Sequence, residues 1–176
     1  SGLYLTPINW HLGPDEAGYI IDDSGAQAFV TSSDLADVVT GLLADRPDVT
    51  TRLMTGDAID GYDGFEDVLA AASGEPRVDE RSGAFMLYSS GTTGYPKGIV
   101  RTLPRAPFGA GRDTIATLMT ARYGADERSV YLSPAPLYHS APIGFCRSLR
   151  TSMRVLGVIW RSIESMSIVK PSSVSV

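Results

Sequence analysis

The run Ser89-Ser90-Gly91-Thr92-Thr93-Gly94-Tyr95-Pro96-Lys97-Gly98 gathers the residue types that bind phosphate. Small side chains leave successive backbone N–H groups unobstructed, and glycine reaches the φ > 0 conformations that turn such donors toward one anion. The hydroxyls of Ser89, Ser90, Thr92 and Thr93 add donors, and Lys97 adds a full positive charge at the far end. Pro96 has no N–H and fixes its own φ, which limits how the lysine side of the loop can fold. A polyphosphate is the ligand that suits this set. Gly, Ser, Thr and Pro are also the ordinary residues of surface turns, and the Pro-Lys-Gly ending is what argues beyond one. A Walker A loop needs Gly-Lys-Ser/Thr opening a helix, whereas Lys97 follows Pro96 and leads into the strand-like Gly98-Ile99-Val100-Arg101. A serine hydrolase pairing Ser89 or Ser90 with His139 fails on pattern, because no Gly-x-Ser-x-Gly elbow is present.

The elements that must position this loop alternate in type. Ala17, Ile20 and Ile21 fall at helical spacing between Asp15 and Ser24, with Pro14 suited to a first turn and Gly25 to a stop. Ala26–Val30 follows as a strand. Leu35, Val38, Val39, Leu42 and Leu43 then form an i, i+3, i+4, i+7, i+8 stripe behind Ser33 and Asp34, the clearest helix pattern in the chain and a core face. Thr51–Met54 reads as a strand, and Phe65, Val68, Leu69 and Ala72 as a helix ended by Gly74. The polar stretch Glu75–Ser82 leads into Ala84–Tyr88, a continuous apolar run suited to a buried strand, and the phosphate-type loop starts directly after it. Beyond the loop, Ile99 and Val100 are β-like, Thr114–Arg122 helical and Val130–Leu132 a strand. Such alternation predicts an α/β architecture.

Composition narrows the function classes. At 176 residues, 43% of them hydrophobic, the chain can bury a real core. A net charge of -5 argues against a nucleic-acid partner, which needs clustered Lys and Arg. The single cysteine, Cys146, can form no internal disulfide, and with only His11 and His139 beside it there is no metal-ligand spacing; a reducing, cytoplasmic setting is the expectation. No apolar run approaches the roughly 18 residues of a transmembrane helix. After Cys146 the composition shifts: residues 147–176 carry four Arg and one Lys against one acid, and eight serines, whereas the preceding part carries ten bases and nineteen acids. The tail 146–176 is expected to be an atypical, aberrant or disordered extension, although Val155–Trp160 is apolar enough to pack as a strand or helix.

Tyr88 to Gly98, taken whole, resembles the signature phosphate loop of the adenylate-forming (AMP-binding) superfamily of acyl-CoA synthetases, luciferases and peptide-synthetase adenylation domains. Tyr4 to Leu12, Pro14-Asp15-Glu16 and Asp23-Ser24-Gly25-Ala26 resemble the stretch before that loop, and Leu132 to Ala141 resembles the family's next motif. The blocks fall in the family's order, and their flavour is closest to ligases acting on fatty or related acids. The resemblance implies a partial large N-terminal domain over 1–145, an incomplete sheet flanked by helices. It implies ATP, Mg²⁺ and coenzyme A, with a small-molecule carboxylic acid activated to an acyl-adenylate and then an acyl-CoA. Carried over residue by residue, Ser89, Ser90, Gly91, Thr92, Thr93, Gly94, Pro96 and Lys97 would hold the nucleotide's β- and γ-phosphates. His139 would border the acyl pocket; a lone histidine is otherwise a structural, hydrogen-bonded one. The family's later motifs, with the magnesium-binding glutamate, the ribose-binding aspartate and the mobile lysine, do not occur; Thr55-Gly56-Asp57 spells one of them but precedes the loop and reads as a coincidental turn. The chain is therefore expected to be a fragment with no catalytic or metal residue of its own, from an active ligase. The alternative is a non-catalytic nucleotide-binding fragment or pseudogene product.

Overall fold

A computed structural model of the chain describes residues 2–89, 94–104, 106–110, 113–133 and 135–149, and the backbone of 154–157 and 165–169. Residues 1–108 with 163–176 form one unit, and 109–162 a second. Both mix helix and strand, as the alternating pattern predicts.

In the first unit, strand β1 (Tyr4–Pro7) is followed by helix α1 (Pro14–Ser24). Pro14 opens α1, where a missing N–H costs nothing. The Glu16 carboxylate accepts the Gly13 N–H at 3.2 Å, and Gly25 closes the helix at φ 62, a left-handed conformation natural to glycine. Ile20 and Ile21 face the core at 3% and 1% exposure. Strand β2 (Ala26–Ser32) carries the fully buried Phe29, and β3 (Thr51–Thr55) the fully buried Met54.

Between β2 and β3 the sequence shows its clearest helix pattern, and the structure corrects this. A 3-10 turn at Ser33–Leu35 leads into α2 (Ala36–Val39), which ends after one turn. Gly41 sits at φ 75, a conformation that cannot continue a right-handed helix. The stripe is nevertheless core: Leu35, Val39, Leu42 and Leu43 are all buried. Strand β4 (Asp63–Gly64) leads into α3 (Phe65–Ala71), whose expected apolar face is open, with Val68 and Leu69 exposed. The apolar run before the loop splits at the buried Met86 into β5 (Ala84–Phe85) and β6 (Leu87–Ser89), with β7 (Lys97–Ile99) after the loop.

In the second unit, α4 (Thr114–Tyr123) is capped by Asp113, whose carboxylate accepts the N–H groups of Ile115 and Ala116 at 3.0 and 3.1 Å. Strand β8 (Val130–Ser133) pairs in parallel with β9 (Arg154–Gly157), and α5 (Ser140–Leu149), which the sequence reading does not identify, lies between them in the chain.

A last strand, β10 (Ser165–Val169), returns to the first unit. The sheet there runs β4-β3-β2-β10-β1-β5. The pairs β2–β3, β3–β4 and β1–β5 are parallel, and β10 is antiparallel to both neighbours. The core joins Tyr4, Ile20, Ile21, Phe29, Leu43 and Met54, with Tyr88 packed against it from the loop's side.

Candidate functional site

The phosphate-type loop is carried by a hairpin. Strands β6 and β7 pair antiparallel with Leu87 opposite Ile99, Tyr88 opposite Gly98 and Ser89 opposite Lys97. The loop therefore leaves and re-enters the fold at one closed base, with Ser89 and Lys97 facing each other across it. The Ser89 hydroxyl donates to the Lys97 carbonyl at 3.4 Å, which leaves its lone pairs as acceptors. Lys97 is exposed, and no carboxylate of the described residues forms an ion pair with it. Gly94, at φ 140, adopts a conformation reserved for glycine. Pro96 is half-buried beside it. Ser90, Gly91, Thr92 and Thr93 lie outside the described residues.

Two contacts tie the hairpin to α1. The Tyr88 hydroxyl donates to Asp23 Oδ2 at 2.6 Å, the short length of a hydrogen bond to an ionised acceptor. Burial, then this bond and the Asp23 charge, push the Tyr88 phenol well above its ordinary value, so it stays a donor. On the exit side the Tyr95 ring stacks on Tyr19, with centroids 4.6 Å apart and planes 27° from parallel. Gly98 makes room for Tyr88: a Cβ there would come within 2.7 Å of Met86 Cε and 3.1 Å of the Tyr88 ring.

Beside this stack an open cleft of about 680 Å³ is lined by Pro14, Asp15, Tyr19, Arg46 and Tyr95, among others. Arg46 is engaged there, its guanidinium bonding both carboxylate oxygens of Asp22 at 2.8 and 2.9 Å and the Leu42 carbonyl. It fills the space that Gly18, lacking a Cβ, leaves open.

His139 belongs to the second unit. It is exposed, its carbonyl accepts the Ile143 N–H at 3.2 Å at the start of α5, and its ring lies 4.5 Å from that of Tyr138. Among the described residues its imidazole makes no hydrogen bond, and its backbone serves the helix start. Among the described residues no group of His, Cys, Asp and Glu comes together that could hold a metal. The contacts of Tyr19, Asp23, Tyr88 and Tyr95 are what residue chemistry alone did not find. Their signal was faint: Tyr19 and Asp23 stand four apart, on one face of a helix, and Tyr88 and Tyr95 flank the hydroxyl-rich run.

Comparison with known proteins gives the same family as the loop. The AMP-binding enzyme family matches residues 1–155. A long-chain-fatty-acid–CoA ligase of Mycobacterium tuberculosis is 31% identical over 146 residues, covering 81% of this chain and 27% of that protein. A medium/long-chain-fatty-acid–CoA/3-oxocholest-4-en-26-oate–CoA ligase of the same organism is 37% identical over 108 residues, 57% of this chain and 20% of that one. The crystal structure of the N-terminal domain of FACL13 from Mycobacterium tuberculosis superposes with a TM-score of 0.63 at 25% identity, covering 87% of this chain and 37% of that one. The chain thus spans about a quarter of the length of the first of these relatives.

Proposed function

Since the chain belongs to the AMP-binding enzyme family, we propose that it supplies the phosphate-holding part of an acid–thiol ligase that activates a carboxylic acid, fatty or related, with ATP. The observation that carries this reading is the hairpin that closes on Ser89 and Lys97 and presents an exposed ammonium, in no ion pair with a carboxylate of the described residues, at the end of the hydroxyl-rich loop.

A carboxylate is a poor electrophile because its leaving group would be an oxide. In the proposed reaction a carboxylate oxygen attacks the α-phosphorus of ATP and the bond to the bridging oxygen breaks, so pyrophosphate departs with that electron pair. The thiol of coenzyme A then attacks the acyl carbon, AMP leaves, and the thiol proton passes to solvent. The negative charge that grows on pyrophosphate is where the loop acts, since fixed donors aimed at developing charge lower the barrier. Ser89, Ser90, Gly91, Thr92, Thr93, Gly94 and Pro96 form the proposed cradle, Lys97 its charge, and His139 a wall of the acyl pocket. For Mg²⁺, which the family implies, the described residues bring together no cluster of three His, Cys, Asp or Glu side chains that could hold it. In the same reading residues 1–145 are a partial adenylation domain and 146–176 an atypical extension, although the family match itself runs on to residue 155, and the setting is cytoplasmic; among the described residues no helix is long and apolar enough to cross a membrane.

ATP–pyrophosphate exchange with a panel of carboxylic acids, run on this chain and on its full-length parent, is the test. Acid-dependent exchange by the parent is the expected result, and no exchange with any acid overturns the ligase reading. ATP binding without exchange is expected of the 176-residue chain alone. Exchange by it would overturn the view that it is a non-catalytic portion.

A further inference from the structure

We propose that one face of α1 positions the phosphate loop, with Asp23 and Tyr19 as positioning residues acting through Tyr88 and Tyr95. The inference rests on the phosphate-binding reading of the loop given above. Tyr88 immediately precedes Ser89, the first residue of the cradle, and Tyr95 immediately precedes Pro96 and Lys97 at its end. Each is held by a different kind of contact. Tyr88 is fixed through its hydroxyl on the Asp23 carboxylate at 2.6 Å, and Tyr95 through its ring on Tyr19 at 4.6 Å. Tyr19 and Asp23 are one helical turn apart, so both anchors lie along one side of α1. The separation between entry and exit is thereby set twice, by the β6–β7 pairing and by a rigid helix outside the hairpin.

The two contacts differ in what they leave exposed. Tyr95 is 66% exposed and buries little apart from the face it lays on Tyr19. A ring so open adds little to a hydrophobic core, so the contact's effect falls on the backbone that carries it, two residues from the Lys97 ammonium. The Tyr88 phenol is half-buried, and burial with the bond to Asp23 pushes it up, so it remains the donor in that bond. Gly98 opposite Tyr88 has no Cβ to push the phenol away from the helix. Preorganisation of this kind raises affinity for a bound anion by removing the ordering cost at the moment of binding.

The test measures binding of inorganic pyrophosphate to the whole chain by calorimetry, with thermal unfolding and amide exchange over 94–99 in the ligand-free chain as companion readouts. Tyr88→Phe and Tyr95→Ala are each expected to weaken pyrophosphate binding about 3- to 10-fold, the range of one hydrogen bond or one ring pair. Both are expected to speed exchange over 94–99. Tyr95→Phe, which keeps the stacked ring, is expected to retain wild-type affinity, and Tyr95→Ala to leave the melting temperature unchanged; a merely structural role would move the second and not separate the first. If Lys97→Ala weakens binding while Tyr88→Phe and Tyr95→Ala leave both affinity and exchange unchanged, the positioning role is overturned and the phosphate reading stands. If the wild-type chain binds no pyrophosphate, the phosphate reading falls, and the positioning role with it.

Discussion

Lys97 and Asp113 show how single side chains carry different kinds of work in this chain. Lys97 is exposed at the end of the hairpin, so removing it disturbs no packing. In the proposed full-length ligase, Lys97→Ala is expected to slow ATP–pyrophosphate exchange about 10- to 100-fold, since a charge-assisted contact of about 1.5–3 kcal/mol with the departing pyrophosphate would be lost. Unchanged exchange kinetics would remove Lys97 from the proposed site. Asp113 has a structural task. Burial alone would push its carboxyl up, but the N–H groups of Ala116 and Ile115, the Ser148 hydroxyl and nearby Arg147 together hold it below the usual carboxylate value. A carboxyl depressed in the folded state contributes stability that is present above its unfolded pKa and lost as pH falls through the folded one. Helix α4 is therefore expected to loosen below about pH 4, and Asp113→Ala to cost about 0.5–2 kcal/mol near neutrality. Circular dichroism across pH on both proteins checks this, and equal acid sensitivity would deny the cap its role.

At the scale of elements, the physics of one segment explains both what was legible in the sequence and what was not. The Leu35–Leu43 stripe reports burial correctly because burial follows apolar spacing, but spacing is blind to the Thr40-Gly41 turn that ends α2, extended at Thr40 (ψ 122) and left-handed at Gly41. Gly41→Ala is expected to destabilise by about 1–2 kcal/mol through left-handed backbone strain alone, because no atom lies within 4 Å of the added methyl. Urea titration measures it, and a neutral result would mean that the turn can relax. The α1 boundaries were readable because Pro14 and Gly25 act locally. The exposed face of α3 was not, because the same spacing serves a buried stripe and an open one. Glycines and hydroxyls announce a phosphate-type loop by their chemistry, whereas the tyrosine contacts proposed to position it cross 65 and 76 residues of chain, beyond the reach of local pattern.

Across the whole molecule, the buried apolar residues are unevenly shared. Phe29 is 1% exposed within the first unit's core and its ring lies 6.5 Å from that of Tyr62. Phe29→Ala is expected to cost about 3–5 kcal/mol, a large part of the roughly 5–15 kcal/mol that holds a typical domain together. A loss under about 1 kcal/mol, measured by denaturant unfolding, would show that this core is not the main source of stability. In residues 109–162, Leu149 is the one hydrophobic side chain buried among those described. Amides of α4 are expected to exchange by local opening well before those of β2 and β3, and uniform protection would contradict that. The antiparallel β10 has a consequence for the order of events at the ribosome. Tyr4 and Ala28 wait for partners 165 and 140 residues later in the chain, Val169 and Ile168. Until then the nascent chain holds β1 and β2 as two bare edges, each a template for a neighbouring polypeptide. Chaperone occupancy on translating ribosomes should thus persist until β10 has emerged.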